Sequence, residues 1–193
     1  MIRDLVRRSR SYRGYDRSER LSREELIELV DLTRYCPSSI NQQPLKYYIV
    51  SEEEELKAIQ PLTGWAMALP QLHLPYPGTE PTAFILICHD TSVNPNLNVF
   101  LRDIGAAAQT ILLAAAEKGF GGCMIGSINK NAIKEALHLP EHIEPNLAVA
   151  LGKPNEEIVL TEIKEDGSTK YFRDETGKIH YVPKRTLDDL LLN

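Results

Sequence analysis

The chain has 193 residues, 42% of them hydrophobic and 25% charged, which is the make-up of an ordinary globular domain and excludes a disordered or fibrous chain. A formal net charge of −5 argues against wholesale nucleic-acid binding. The three cysteines, Cys36, Cys88 and Cys123, are odd in number and widely spaced, which speaks for a reducing, cytoplasmic setting and against a disulfide framework or a metal site.

Charge is unevenly spread. Residues 1–23 carry eight arginines (3, 7, 8, 10, 13, 17, 20 and 23) against Asp4, Asp16 and Glu19, a local excess of five positive charges, so an anion is the expected partner there. The first residues lack the apolar core of a secretory signal, and their acids and tyrosines oppose a transit-peptide reading.

Ile2, Leu5 and Val6 predict a short first helix. Ser22 and Glu25 form a capping box that starts a second helix on Leu26, Ile27, Leu29 and Val30, and Pro37 stops it. Lys46 to Ser51 reads as a strand and Glu52 to Ile59 as a short helix with an acidic start. Residues 61–82, with five prolines and two glycines, read as a long loop with one helical turn at Trp65 to Leu69. Ala83 to Cys88 predicts a buried strand. Asn98 to Lys118 predicts the main helix, apolar on most sides, with Ala106 to Ala108 and Ala114 to Ala116 small enough to admit a second helix. Its uncharged run, Ile104 to Ala116, is too short to cross a bilayer. Phe120 to Ile125 and Leu147 to Leu151 read as strands, and Asn131 to His138 as a helix. Two short strands flank the turn at Asp174 to Gly177, and Leu187 to Leu192 is a last apolar segment.

Residues 37–44, Pro-Ser-Ser-Ile-Asn-Gln-Gln-Pro, are the most informative stretch. Two hydroxyls and three side-chain amides lie between prolines, an inventory suited to a flat heterocycle edged with carbonyls and ring nitrogens, and unsuited to a metal. An ordinary turn has the same composition. Arg10, Ser11 and Arg13 suit a phosphate, as do Lys184 and Arg185, although solvated basic surface is the commoner fate of such groups. The run from Gly119 to Ser127, Gly-Phe-Gly-Gly-Cys-Met-Ile-Gly-Ser, is neither a dinucleotide fingerprint nor a P-loop. It reads either as a helix cap running into a bulged strand or as a ligand loop. The histidines at 73, 89, 138, 142 and 180 show no metal-ligand spacing and read as solvated or packed.

Taken in order, these motifs resemble the FMN-dependent nitroreductase family over nearly the whole chain. They are Arg-Ser-x-Arg-x-Tyr from Arg10, the octet, Asp-x-Gly-Ala-Ala from Asp103, the glycine-rich turn, Ala-Leu-Gly-x-Pro from Ala150 and Pro-Lys-Arg from Pro183. The resemblance implies an α+β fold with a mixed central sheet flanked by helices. It implies a single domain over 1–193, an intertwined homodimer with FMN at the interface, and residues 155–193 as a C-terminal extension reaching the partner subunit. By the same resemblance, Arg10 and Ser11 hold the FMN phosphate and ribityl chain, and Arg13 lies near the pyrimidine edge. Pro37, Ser38, Ser39 and Asn41 come from the opposite subunit. Met124, Ile125, Gly126 and Ser127 form the turn over the flavin, with the Gly126 N–H facing N5, and Lys184 and Arg185 clamp the phosphate. Met124 stands where many relatives carry proline and Gly126 where some carry glutamate, so the resemblance does not fix the substrate.

The implied activity is an FMN-dependent NAD(P)H oxidoreductase. NADH or NADPH reduces the flavin, and a nitroaromatic, quinone or related small acceptor reoxidises it in ping-pong order, with no side chain as nucleophile or base. Trp65, in the 61–82 substrate loop, and Phe100 are the candidate substrate contacts, with core packing as the other reading of each. Other expectations are a same-fold dehalogenase or heterocycle dehydrogenase, and a non-enzymatic flavin-binding sensor.

Overall fold

The computed structural model describes residues 1–163 and 167–192. A central antiparallel core is built from β2 (Leu45–Val50), β3 (Ala83–Asp90), β4 (Gly121–Ile125) and β5 (Ile143–Pro154), with the two-residue β1 (Tyr15–Asp16) against the end of β5. β3 lies between β2 and β5, and β4 pairs with the far side of β5. The parallel pairing that makes this sheet mixed is confined to one bridge, between Ser11 and Gly122 at its edge.

Every residue of β3 is buried, and its alternation feeds two cores. Ile85 and Ile87 face α2 (Arg23–Asp31) and α4 (Leu101–Glu117), meeting Leu26, Leu29, Ala107, Ala108 and Ile111. Phe84, Leu86 and Cys88 face α3 (Glu53–Ile59) and α5 (Lys130–Ala136), meeting Leu56, Ile59 and Ile133. Helices on both faces explain why an antiparallel strand reads as a continuous apolar run rather than an alternating one. α1 (Ile2–Arg8) contributes no buried residue. The capping box of Ser22 and Glu25 is formed in both directions.

Several expectations shift. β5 is far longer than Leu147 to Leu151, because Pro145 sits at a register shift opposite Cys88, where a ladder bond is already interrupted. The main helix starts at Leu101, after a 3₁₀ turn at Leu97–Val99. The 61–82 loop has 3₁₀ turns at Gln60–Leu62 and Pro70–Leu72 instead of a helical turn at Trp65. Ala107, Ala108, Ala115 and Ala116 are buried in their own core rather than kept for a second helix. Gly105 lies on the open side of α4.

Beyond β5 the chain forms a second, small sheet: β6 (Glu157–Glu162) parallel to β8 (Ile179–Lys184), with β7 (Phe172–Arg173) antiparallel to β8. This unit is fastened to the N-terminal segment by a buried charge cluster. Glu156 accepts from the backbone N–H of Arg13 and pairs with the Arg173 guanidinium, both side chains being only 3% exposed. Arg173 also donates to Gly177 O at 2.7 Å. The Arg13 guanidinium lies 5.3 Å over the Tyr171 ring, and Tyr171 packs 5.0 Å from His180. Burial, then the nearby Arg13 and Arg173 charges, lower the His180 pKa to about 4, so the ring is neutral at physiological pH. After Lys184 the chain turns outward, leaving Leu187, Leu190, Leu191 and Leu192 exposed.

Breaking a buried ion pair from one side strands the other charge. Glu156→Ala therefore costs about 3–5 kcal/mol, read as a lowered urea midpoint; replacing Arg173 by Met in the same chain restores part of the loss. For His180 the unfolded ring binds a proton near pH 6.5 while the folded ring resists until about 4. Its contribution is thus present at neutral pH and lost as pH falls from 6.5 toward 4, at up to about 1.4 kcal/mol per pH unit. Urea titrations at stepped pH show this slope in the wild type, and His180→Phe flattens it.

Candidate active site

The N-terminal segment leaves α1 at Ser9 in an extended conformation and runs along the edge of β4. Tyr12 N donates to Gly122 O at 3.0 Å, which locks the register. Glycine is needed at 122 for the close approach of β5, since a Cβ there would stand 2.1 Å from Ala150 O, and at 121 for the N-terminal segment, since a Cβ there would stand 2.5 Å from the Tyr12 ring. Arg10 is braced by its own helix, Nε donating to Ser9 O at 2.7 Å and Nη2 to Val6 O at 2.7 Å. Arg13 Nη1 donates to Ser11 O at 3.1 Å.

These residues open on a cavity of about 340 Å³. Arg10, Ser11 and Arg13 line one side, Met124 another, and His180 and Lys184 of β8 the third. Among the described residues, no carboxylate lies within 4.0 Å of the Arg10 guanidinium, the Arg13 guanidinium or Lys184 Nζ. Three cationic groups with no carboxylate in contact surround one hollow and could hold an anion there at low electrostatic cost. Arg185 follows on the exposed turn after β8.

The glycine-rich turn lies beside it. Ile125 is buried, whereas Met124, Gly126 and Ser127 are exposed. A Cβ at Gly126 would meet nothing within 4 Å, so the backbone there is open to a flat ring. Ser127 O accepts from Gly64 N at 2.6 Å, and Thr63 bridges Ile128, which ties the start of the 61–82 loop to this turn. Trp65 is therefore held close by, half-buried, with Nε1 donating to Thr63 Oγ1 at 2.8 Å. Phe100 is elsewhere. It is fully buried at the start of α4, 5.6 Å from the His89 ring, so the substrate role expected of it gives way to core packing.

The octet forms a second hollow, about 160 Å³, lined by Pro37, Ser38, Gln43 and Asp103. Its backbone is contorted: Ile40, Asn41 and Gln43 have φ of 48°, 53° and 50°, and for a β-branched residue such as Ile40 this is strained. The strain is held by Asp103, a buried carboxylate in the first turn of α4. It accepts from Ser38 Oγ at 2.8 Å and from Ser39 N at 2.9 Å. Ser39 Oγ lies 3.0 Å from the same carboxylate and 2.9 Å from Val99 O, one hydrogen serving two acceptors. Ser38 Oγ accepts from Gln43 N at 3.0 Å. The two hydroxyls thus hold the loop in this protomer rather than standing free for a ligand. Asn41 stays exposed, its Oδ1 taking a hydrogen bond from Gln43 Nε2 at 3.1 Å.

The two hollows do not meet in one protomer. Asp103 and Ala107 face the octet, whereas Gln109 and Leu112 face the cationic cavity. At about 100° per residue these pairs lie roughly half a turn apart on α4. The structure therefore joins Arg10, Ser11, Arg13, Met124 and Lys184, and separately Pro37 and Ser38, without joining the two sets. Burial pushes the Cys88 thiol up to about 12 and also raises Cys123, so neither is poised as a nucleophile.

Sequence reasoning missed Asp103 as a holder of the octet and missed Glu156, Tyr171 and Arg173 altogether, while His180 was read only as a solvated or packed histidine. One signal was present: His180, Val182 and Lys184 share parity along a strand, and all three line the cavity.

Known proteins fit this arrangement. The nitroreductase family matches residues 6–74 and 78–153. An Archaeoglobus fulgidus protein provisionally named NADH dehydrogenase/NAD(P)H nitroreductase is 27% identical over 158 residues, spanning 79% of this chain and 85% of that one. The FMN reductase (NAD(P)H) of Bacillus subtilis is 27% identical over 165 residues, 75% of this chain and 62% of that one. A provisionally named nitroreductase of Exiguobacterium sibiricum, solved in complex with FMN, superposes with a TM-score of 0.67 at 20% identity over 80% of this chain and 88% of that one. With a family match covering most of the chain and a fold shared with solved relatives, the chain belongs to the nitroreductase family.

Proposed function

We propose that the protein is an FMN-dependent NAD(P)H oxidoreductase that reduces nitroaromatic, quinone or related small electrophilic acceptors, and that it works as a homodimer. The observation that carries this reading is the cavity of unpaired cations, Arg10, Arg13 and Lys184, set beside an open glycine turn. The residues fit a phosphorylated flavin: a cationic hollow for the phosphate, and at Gly126 a surface without side chain for the ring. FMN, when bound, supplies hydride transfer in two half-reactions, first from NADH or NADPH and then to the acceptor. Arg10, Ser11, Lys184 and Arg185 hold the phosphate. Arg13 offsets the negative charge that two-electron reduction adds at the pyrimidine edge. The turn Met124, Ile125, Gly126 and Ser127 positions the ring, and Trp65 shapes the acceptor's side.

A dimer completes the site. Pro37, Ser38, Ser39 and Asn41 cannot reach the cationic cavity of their own protomer, because α4 stands between, so a second copy supplies the octet. The exposed apolar residues of α1, Ile2 and Val6, and of the tail, Leu187 to Leu192, are the surface a second copy would cover. On this reading the tail beyond Lys184 crosses to the other subunit.

Purified protein is expected to be yellow, to elute at twice its monomer mass, and to bleach under anaerobic NADH or NADPH. Parallel double-reciprocal plots are expected with a quinone acceptor. A colourless protein that ignores added FMN ends the proposal. Bound flavin that neither nucleotide bleaches points instead to a non-enzymatic flavin-binding sensor, and rapid turnover confined to halogenated or heterocyclic substrates to a same-fold enzyme of different chemistry. Lys184→Ala removes a charged contact and weakens FMN binding about 10–100-fold, measured by quenching of flavin fluorescence. Asp103→Asn leaves the octet with one acceptor too few. It lowers stability by about 1–3 kcal/mol and loosens flavin as well, an effect transmitted through the loop and read by the same titration.

A further inference from the structure

The family match ends at residue 153, so the small sheet β6–β8 lies outside it, yet that sheet supplies one wall of the cationic cavity. Strand geometry puts His180, Val182 and Lys184 on one face of β8, and Ile158 of β6, the register partner of His180, beside them. Val182 and Ile158 are ordinary wall residues. His180 is not: it is 1% exposed, and among the described residues neither Nδ1 nor Nε2 has a hydrogen-bond partner. A neutral imidazole always carries one donor and one acceptor, and leaving both unmet in a buried position is unfavourable. A leucine or phenylalanine would pack against Tyr171 without that cost.

The surrounding inventory says what is missing. Arg173 Nε is also buried without a partner among the described residues. The carboxylate beside it, Glu156, is already engaged by the Arg13 backbone N–H and by Arg173. Charged groups facing the ring are Arg13 and Arg173, with Lys184 farther along the same strand face, and the cavity adds Arg10. The cluster has a surplus of donors and positive charge and a deficit of acceptors. A phosphate monoester supplies what is lacking.

We propose that His180 is a ligand-contacting residue that donates a hydrogen bond to the phosphate of the flavin held by Arg10 and Lys184, so that the sheet beyond the family core forms part of the cofactor site. This rests on the FMN reading above. Burial and the two guanidiniums favour the neutral ring before the anion binds, and a neutral imidazole still carries one N–H to donate.

The test compares FMN with riboflavin, which lacks the phosphate, on the full chain stripped of flavin. His180→Phe keeps a flat ring and removes the donor; His180→Gln restores one. In His180→Phe, FMN binding is expected to weaken by about tenfold or more while riboflavin binding stays within about twofold, and His180→Gln is expected to recover most of the FMN affinity. Unchanged FMN affinity in His180→Phe overturns the proposal, as does equal weakening of both flavins, which signals packing alone. Wild-type protein that binds neither flavin sinks the FMN reading itself and this inference with it. Should His180→Phe not fold, wild-type protein with isotope-labelled histidine decides. Ring-nitrogen shifts at His180 on adding FMN but not riboflavin uphold the contact, and their absence rejects it.

Discussion

One helix governs the arrangement of the site. α4 is packed so tightly against β3 and β5 that its rotation about its own axis is fixed by Ile104, Ala107, Ile111 and Ala115. With that rotation fixed, Asp103 emerges on one flank and Leu112 on the other, and the two halves of the site inherit their separation from it. Alanine is what makes this possible. Larger side chains at 107, 108 and 115 would lift the helix from the sheet and move both halves together. The price of so much small, buried surface is that little of the helix remains to bind anything by itself, which leaves recognition to the loops at its two flanks.

The loop on the Asp103 flank shows how strain and charge are balanced. Three positive φ angles in four residues are unfavourable, and one of them falls on a β-branched side chain. A buried carboxylate is also unfavourable unless it is surrounded by donors. Each defect answers the other. The octet supplies two hydroxyls and a backbone N–H to Asp103, and Asp103 supplies the fixed point that keeps the octet contorted. Neither would persist alone, and that mutual dependence explains why serines that look like ligand donors in the sequence are directed inward.

Much of the scaffold was legible because its signals are local. A capping box, an apolar strand, an alanine-rich helix and a terminating proline each follow from neighbours in sequence. The turn after α4 was ambiguous between a structural cap and a ligand loop, and the two readings hold at different residues. Gly119, at φ 82°, ends the helix, and Gly121 leaves room for the Tyr12 ring of the N-terminal segment, while Gly126 faces open space. What stayed hidden depends on contacts across long separations. Arg13 and Glu156 are 143 residues apart, and nothing near either residue announces the other. Phe100 was left between a substrate contact and core packing for the same reason, since its full burial beside the His89 ring of β3 is a contact between residues of different elements.

The charge cluster at the small sheet has a logic of its own. Glu156 takes the Arg173 guanidinium and only the backbone N–H of Arg13, and the side chain of Arg13 rests on an aromatic ring instead of an acid. A second carboxylate would have neutralised the group and made the fold more tolerant, but it would also have cancelled the field that reaches the cavity. A neutral histidine at this place keeps the positive potential intact while filling the space, where a protonated one would repel both guanidiniums and a carboxylate would quench them. The sheet is thus fastened by the Glu156–Arg173 pair, the Arg13 N–H on Glu156 and the Arg13 guanidinium over Tyr171, and the remaining positive charge is left directed at the hollow where an anion can sit.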